Sequence, residues 1–176
     1  MNEASTDFQI SRKDIQQAKE LLSKLQPGQL PFNIFIEVAR LTVTPIIEIV
    51  PLRTNADGYT EVLLTKREDS DPIWPGMLHT PGTVVRANDR DDNSDAFRRI
   101  LNGELGDIKT SAPVYVKTIL HKVKRGTEQA QIFWVEVHGE SKIGIFYDVN
   151  KLPGNIIDSQ IDFIKAATDS YIATNH

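Results

Sequence analysis

Residues 79–106, HTPGTVVRANDRDDNSDAFRRILNGELG, constrain the fold more than any other stretch of the chain. A Pro81-Gly82 turn leads into an acidic polar loop, and the loop leads into a helix. Asn93 or Ser94 is a good cap for that helix, and Ala96, Phe97, Ile100, Leu101 and Leu105 recur along one side of it. Gly106 suits the position just past its end. The layout is that of an active-site segment, yet past Asp95 the helix carries a single carboxylate, Glu104, where a metal site wants several.

The flanking segments read as strands and helices in a definite order. Ser11 predicts the cap of a first helix with Ile15, Ala18, Leu21, Leu22 and Leu25 at helical spacing, closed by Pro27-Gly28. Pro31, at a first helical position, opens FNIFIEVARLT as a second helix, although Ile34, Ile36 and Val38 also alternate as in a strand. TPIIEIVPLR and EVLLTKRE form a β-hairpin with Asp57-Gly58 in the connection. IWPGMLHTPG is an irregular segment pinned by a buried Trp74, followed by a short strand over 83–86. After the helix come two long strands, PVYVKTILHKVKRG and EQAQIFWVEVHG, joined near Arg125-Gly126, then a short strand in KIGIFYDV. A last helix spans about 156–172, apolar at Ile157, Ile161, Ile164, Ala167 and Tyr171. Strands around one central helix, with helices at both ends, give a layered α/β domain. The expected division is a helical extension over 1–43 and a domain over 44–176, in one compact unit.

Composition narrows the function. The chain has no cysteine, which excludes disulfides, zinc–thiolate sites and thiol catalysis. A net charge of −4 is wrong for a protein that lives on nucleic-acid backbones. The N-terminal MNEASTDFQISRKD is polar and mixed in charge, unlike a secretory signal, and no apolar run approaches the length of a membrane span. The expected location is the cytosol.

The order of hairpin, Pro-Gly turn, acidic loop, Gly-ended helix, long strands and C-terminal helix resembles the Nudix hydrolases over roughly residues 44–172. LLTKRE, Trp74 before a Pro-Gly turn and FYDVNKLPGNIIDSQIDFI strengthen the likeness. The resemblance implies an α/β/α sandwich around a mixed sheet. It also implies cleavage of a nucleoside diphosphate linked to another moiety, with Mg²⁺ or Mn²⁺ held by glutamates of a signature helix. Anchored on Gly106, the signature places Arg99 on the family's arginine and Glu104 on the second glutamate of its Glu-Glu pair. The same register puts Ile100 and Gly103 where the other two helix glutamates belong. Asp91 falls on the loop acid, Gly82 lies about three residues early, and the usual Pro-Gly-Gly has become Pro81-Gly82-Thr83.

What the resemblance implies for the site is therefore Glu104 and Arg99 as catalytic residues, Glu104 and Asp91 as metal ligands, and Arg67, Trp74 and Gly82 as substrate-binding residues. Glutamates at helix positions i, i+3 and i+4 share one face and converge on metal. With one of three present, the expectation is a binder of a nucleotide conjugate or another small phosphorylated ligand with impaired or no hydrolysis. The alternative is an active, atypical Nudix hydrolase using Mg²⁺ or Mn²⁺, with carboxylates from elsewhere, such as Glu136, entering the pocket. No membrane partner is expected, and a homodimer is compatible with the reading. Each candidate also has a plainer role. Glu104 suits a solvated last turn, and Arg99 suits a clamp on Asp91 or Asp92. The run Asp89, Asp91, Asp92, Asp95 suits a solvated loop, since Ser94 and Ile100 stand where a calcium loop needs glycine and an acid. Of the four histidines only His79 adjoins the Pro-Gly turn, where orienting that turn is its simplest use.

Overall fold

The computed structural model describes residues 10–175; the polar start at 1–9 and His176 lie outside the described residues. The chain opens with α1 (Arg12–Leu22) and α2 (Phe32–Leu41), then β1 (Val43–Thr54), β2 (Thr60–Lys66), β3 (Leu78–His79) and β4 (Gly82–Val84). α3 (Ser94–Glu104) follows, then β5 (Lys109–Thr110), β6 (Val114–Val123), β7 (Gly126–His138), β8 (Ile145–Asp148) and α4 (Asp158–Asn175). The strands make one mixed sheet. Its path runs β3, β2, β1, β7, β5, with β4 beside β1, β6 beside β7 and β8 beside β2. β1 and β7 are parallel, and the other pairs are antiparallel.

β1 explains the layering. It is buried on both faces, so its sequence reads as a nearly unbroken apolar run. Ile46, Val50 and Leu52 turn to one side and pack with Trp134, Phe163, Ile164 and Ala167, under α4. Ile47 and Ile49 turn to the other and pack with Ala96, Ile100 and Leu105, under α3. The β1–β2 hairpin closes as expected, with Gly58 at φ +82 and the Asn55 carboxamide accepting from the N–H groups of Asp57 and Tyr59. Phe133 and Trp134 point to opposite faces, Phe133 edge-on to Phe97 and Trp134 edge-on to Tyr171.

Several boundaries differ from the sequence reading. Pro31 caps α2 from outside rather than opening it, and the short strand sits at 82–84. Ser11 does cap α1, through a reciprocal box with Asp14, but α1 buries none of its residues: Ile15, Leu21 and Leu22 remain exposed. In α4 the inward positions are Gln160, Phe163, Ile164, Ala167, Thr168 and Tyr171, a helical i, i+3, i+4, i+7 series, which leaves Ile161 one step off that face and exposed.

α2 is fastened to the sheet at one tight point. Gly126 has φ +142, and a Cβ there would lie 2.3 Å from the Ala39 carbonyl oxygen. Only glycine tolerates both the backbone and the contact. Gly126→Ala is expected to cost about 2 kcal/mol or more and to loosen α2, seen as a lower melting temperature with faster amide exchange confined to Phe32–Leu41 and the β6–β7 turn. A parental melting curve would contradict that docking.

Candidate functional site

A polar cavity of about 200 Å³ opens on the α4 side of the sheet, beside β4. β1 contributes Glu48, the end of β2 contributes Arg67, and the turn and start of β6–β7 contribute Arg125 and Glu128. Trp74, His79, Gly82 and Gln160 complete the part that carries chemistry.

Glu48 is the centre of the arrangement. Its residue is only 8% exposed, and burial pushes its carboxyl up from 4.5 to about 8. The Thr80 hydroxyl opposes the rise, the charges of Glu104 and Glu128 add to it, and Arg125 opposes it. Thr80 Oγ lies 3.1 Å from Glu48 Oε2 and also faces Gln160 Oε1. The carboxyl group lies across the β4 backbone in space that exists because Gly82 has no side chain, since a Cβ there would sit 2.6 Å from Glu48.

Glu104, the last residue of α3, approaches from the other side of β4. Burial raises its carboxyl to about 7, against the Gly82 N–H, which donates to it, and the charge of Arg67. His79 stays neutral: burial and then Arg67 push it down to about 4. Its Nδ1 donates to the Thr80 carbonyl at 2.7 Å, which leaves Nε2 to accept from the Thr65 hydroxyl at 3.3 Å. His79 thus pins the short link from β3 to β4, where Thr80-Pro81-Gly82 passes without the turn that the sequence suggested.

Two arginines flank the Trp74 ring, with guanidinium carbons 5.7 Å (Arg67) and 5.3 Å (Arg125) from its centroid. Arg67 pairs with Asp71 at 2.6 Å, while the other Asp71 oxygen accepts from the N–H groups of Ile73 and Trp74. Arg125 pairs with the buried Glu128, which His121 also approaches at 3.4 Å. Each guanidinium has five N–H donors, more than one carboxylate can accept, so both keep donors for a ligand.

The sequence candidates separate into two groups. Arg67, Trp74 and Gly82 line the cavity; Glu104 is not among its lining residues, and it is linked to them through the Gly82 N–H and the charge of Arg67. Arg99 and Asp91 stand apart. Arg99 grips Asp89, with Nη2 to Oδ2 at 2.8 Å, and donates to the Val84 carbonyl at 3.1 Å. Its partner is thus Asp89, not Asp91 or Asp92, because Asn93 at φ +61 reverses the loop and turns the other acids outward. Asp91 is exposed. Glu136 sits on β7 away from the cavity, within 3.3 Å of the Tyr171 hydroxyl. Ile100 is fully buried under α3, and Gly103 is exposed. Among the described residues no group of three or more His, Asp or Glu side chains is placed to hold a metal ion. Among them, too, no helix is long and apolar enough to cross a membrane.

Glu48, Glu128 and Gln160 escaped the sequence reading. A signal existed for Glu48: it is the one acid in the apolar run TPIIEIVPLR, on the same strand face as Ile46 and Val50.

No protein-family description matches the chain, and no curated protein matches it. Solved structures do. The Ap4A hydrolase of C. elegans is 12% identical over 74% of this chain and 99% of its own, with a TM-score of 0.56. A MutT Nudix hydrolase from Burkholderia pseudomallei is 17% identical over 71% and 98%, with a TM-score of 0.55. The Nudix domain of Shewanella oneidensis NrtR, complexed with ADP ribose, is 16% identical over 87% and 97%, with a TM-score of 0.56. The chain has the Nudix fold.

Proposed function

We propose that this chain uses the Nudix fold to bind a nucleoside-diphosphate-type or other phosphorylated ligand, with impaired or no metal-dependent pyrophosphohydrolase chemistry. The observation that carries this reading is the state of two signature positions: Ile100 belongs to the apolar core and Gly103 offers no side chain. Meanwhile Arg67 and Arg125 beside Trp74 suit phosphate oxygens. The complex of the NrtR Nudix domain with ADP ribose supports a nucleotide conjugate as the ligand type. A cytosolic location and a helical extension over 1–43 go with this proposal.

A second reading has one observation in its favour. Glu48 lies within electrostatic reach of both Glu104 and Glu128, and a divalent cation would relieve their mutual repulsion. Glu104 with Glu48 would then serve an atypical hydrolase. Calorimetry with Mg²⁺ and Mn²⁺ separates the two: the binder reading expects nothing tighter than millimolar without ligand, and micromolar binding would favour the hydrolase.

The ligand itself is tested by thermal shift with ADP ribose, ADP and inorganic pyrophosphate. A ligand at 100 times its dissociation constant stabilises by about 2.7 kcal/mol. Arg67→Ala is expected to abolish that shift. It should cost the free protein only about 1 kcal/mol, because Asp71 keeps its two backbone N–H partners. No stabilisation by any of the three would remove the proposal.

A further inference from the structure

Beside the polar cavity lies a second one of about 430 Å³, and the two share Thr83 and Val84 of β4 as a common wall. Its other walls are mostly apolar, with Gln26, Gln29, Thr42, Thr44 and Arg86 as the polar residues. Leu30, Phe32 and Phe35 come from α2 and the segment before it, Val43 and Pro45 from the start of β1, and Val85 from beyond β4. No acidic side chain lines it, and Arg86 is its one charged residue. Of its polar side chains, Gln29 accepts from Arg86 at 3.2 Å, the Thr42 hydroxyl donates to the Val38 carbonyl at 2.9 Å, and Gln26 and Gln29 are exposed. The polar cavity alone falls below the roughly 300–1,000 Å³ of small-molecule sites, and the apolar one falls inside that range.

The two spaces are also joined through a side chain. Arg125, which lines the polar cavity, has its guanidinium 5.3 Å from the Trp74 ring and 5.7 Å from the Phe35 ring. Phe35 faces the apolar groove. A phosphate held at Arg125 would therefore lie near both the Trp74 ring of the polar cavity and the Phe35 ring of the groove. Phe32 and Val43 at the groove are about half exposed, 47% and 49%, which is apolar surface that a ligand would cover.

We propose that the ligand is a diphosphate ester whose other end is a hydrocarbon group, seated in this groove between α2 and β4. This rests on the proposed phosphate-binding role of the polar cavity and names what is attached to the phosphates. The argument is one of polarity: a heterocycle or sugar buried in the groove would leave its hydrogen-bonding edges without partners, whereas a hydrocarbon needs none. α2 and the segment before it then form half of the ligand site.

The test is titration calorimetry on the full chain with inorganic pyrophosphate, ADP and n-octyl diphosphate. Each methylene transferred from water adds roughly fourfold in affinity, so burying three or four of them predicts octyl diphosphate binding on the order of 100-fold tighter than pyrophosphate. Phe32→Glu places a carboxylate in the first turn of α2, where the helix dipole favours it, so the helix is retained. That variant should lose at least about tenfold of the octyl gain and leave pyrophosphate binding unchanged. If pyrophosphate binds but the octyl chain adds nothing, or ADP binds more tightly than the octyl ester and Phe32→Glu changes neither, the hydrocarbon assignment is wrong and the phosphate site stands. If no diphosphate binds, both proposals fall.

Discussion

Ile100→Glu is expected to destabilise the protein by about 3–5 kcal/mol, the cost typical of an uncompensated buried charge. Gly103→Glu is expected to be tolerated. Ile100 has no exposed surface and packs in the same cluster as Ile47, Ile49, Leu63 and Val135. A carboxylate introduced there finds neither water nor a cation, so it must bind a proton or open the core. At Gly103 an added Cβ meets nothing within 4 Å, and replacing glycine recovers up to roughly 1 kcal/mol of helix propensity. Urea denaturation of the two single variants measures both effects. Restoring the signature is thus harder than restoring two letters, because one ligand position has become part of the core. An Ile100→Glu variant as stable as the parent would mean that the side chain reaches solvent and that the alignment on Gly106 is wrong.

The second large effect is a dependence of stability on pH that one substitution should remove. Glu48 titrates at about 8 in the folded chain and near its ordinary 4.5 once unfolded. Below pH 4.5 both states hold the proton, and the folded state is at no disadvantage. As pH rises, the unfolded chain releases its proton first, so stability falls by up to about 1.4 kcal/mol per pH unit until the folded carboxyl also ionises. Across that window the loss is on the order of 4 kcal/mol, and Glu104, raised to about 7, adds a fall of the same sign. Glu48→Gln keeps the shape without the titration. It should match the parent near pH 4.5 and exceed it by a few kcal/mol at pH 8. Melts at the two pH values decide the matter: parallel curves for parent and variant would show that Glu48 ionises in the fold without penalty.

How much of this could be read from the letters depends on how local each cause is. The Ser11 cap, the Asp57-Gly58 turn, the helix over 94–104 and the stop at Gly106 depend on a few neighbouring residues, and all appear where the sequence puts them. The apolar stripe of α1 was equally plain, but periodicity tells which side of a helix is apolar and not whether anything lies against it. Likewise, the sequence reading offered Asp91 or Asp92 as the partner of Arg99, and the partner is Asp89. The choice of Asp89 depends on the left-handed Asn93 and on a hydrogen bond from the Arg86 N–H. The cavity was hardest of all. Glu48, Glu104 and Glu128 come from three elements far apart in the chain, and no spacing rule relates them.

The pairing of β1 with β7 bears on how the chain reaches this state. Val43 lies opposite Thr127 and Leu52 opposite Glu136, so each partner stands 84 positions further along. Contacts of such separation are slow to form, because the loop must be closed before the pairing is rewarded. At a synthesis rate of roughly 5–20 residues per second, β1 leaves the ribosome several seconds before β7 exists. Through that interval β1 carries two charges, Glu48 and Arg53, and two prolines, Pro45 and Pro51, as its defence against pairing with another chain. Refolding yield should therefore fall steeply with protein concentration, and substitutions that remove Pro45 or Pro51 should steepen that fall.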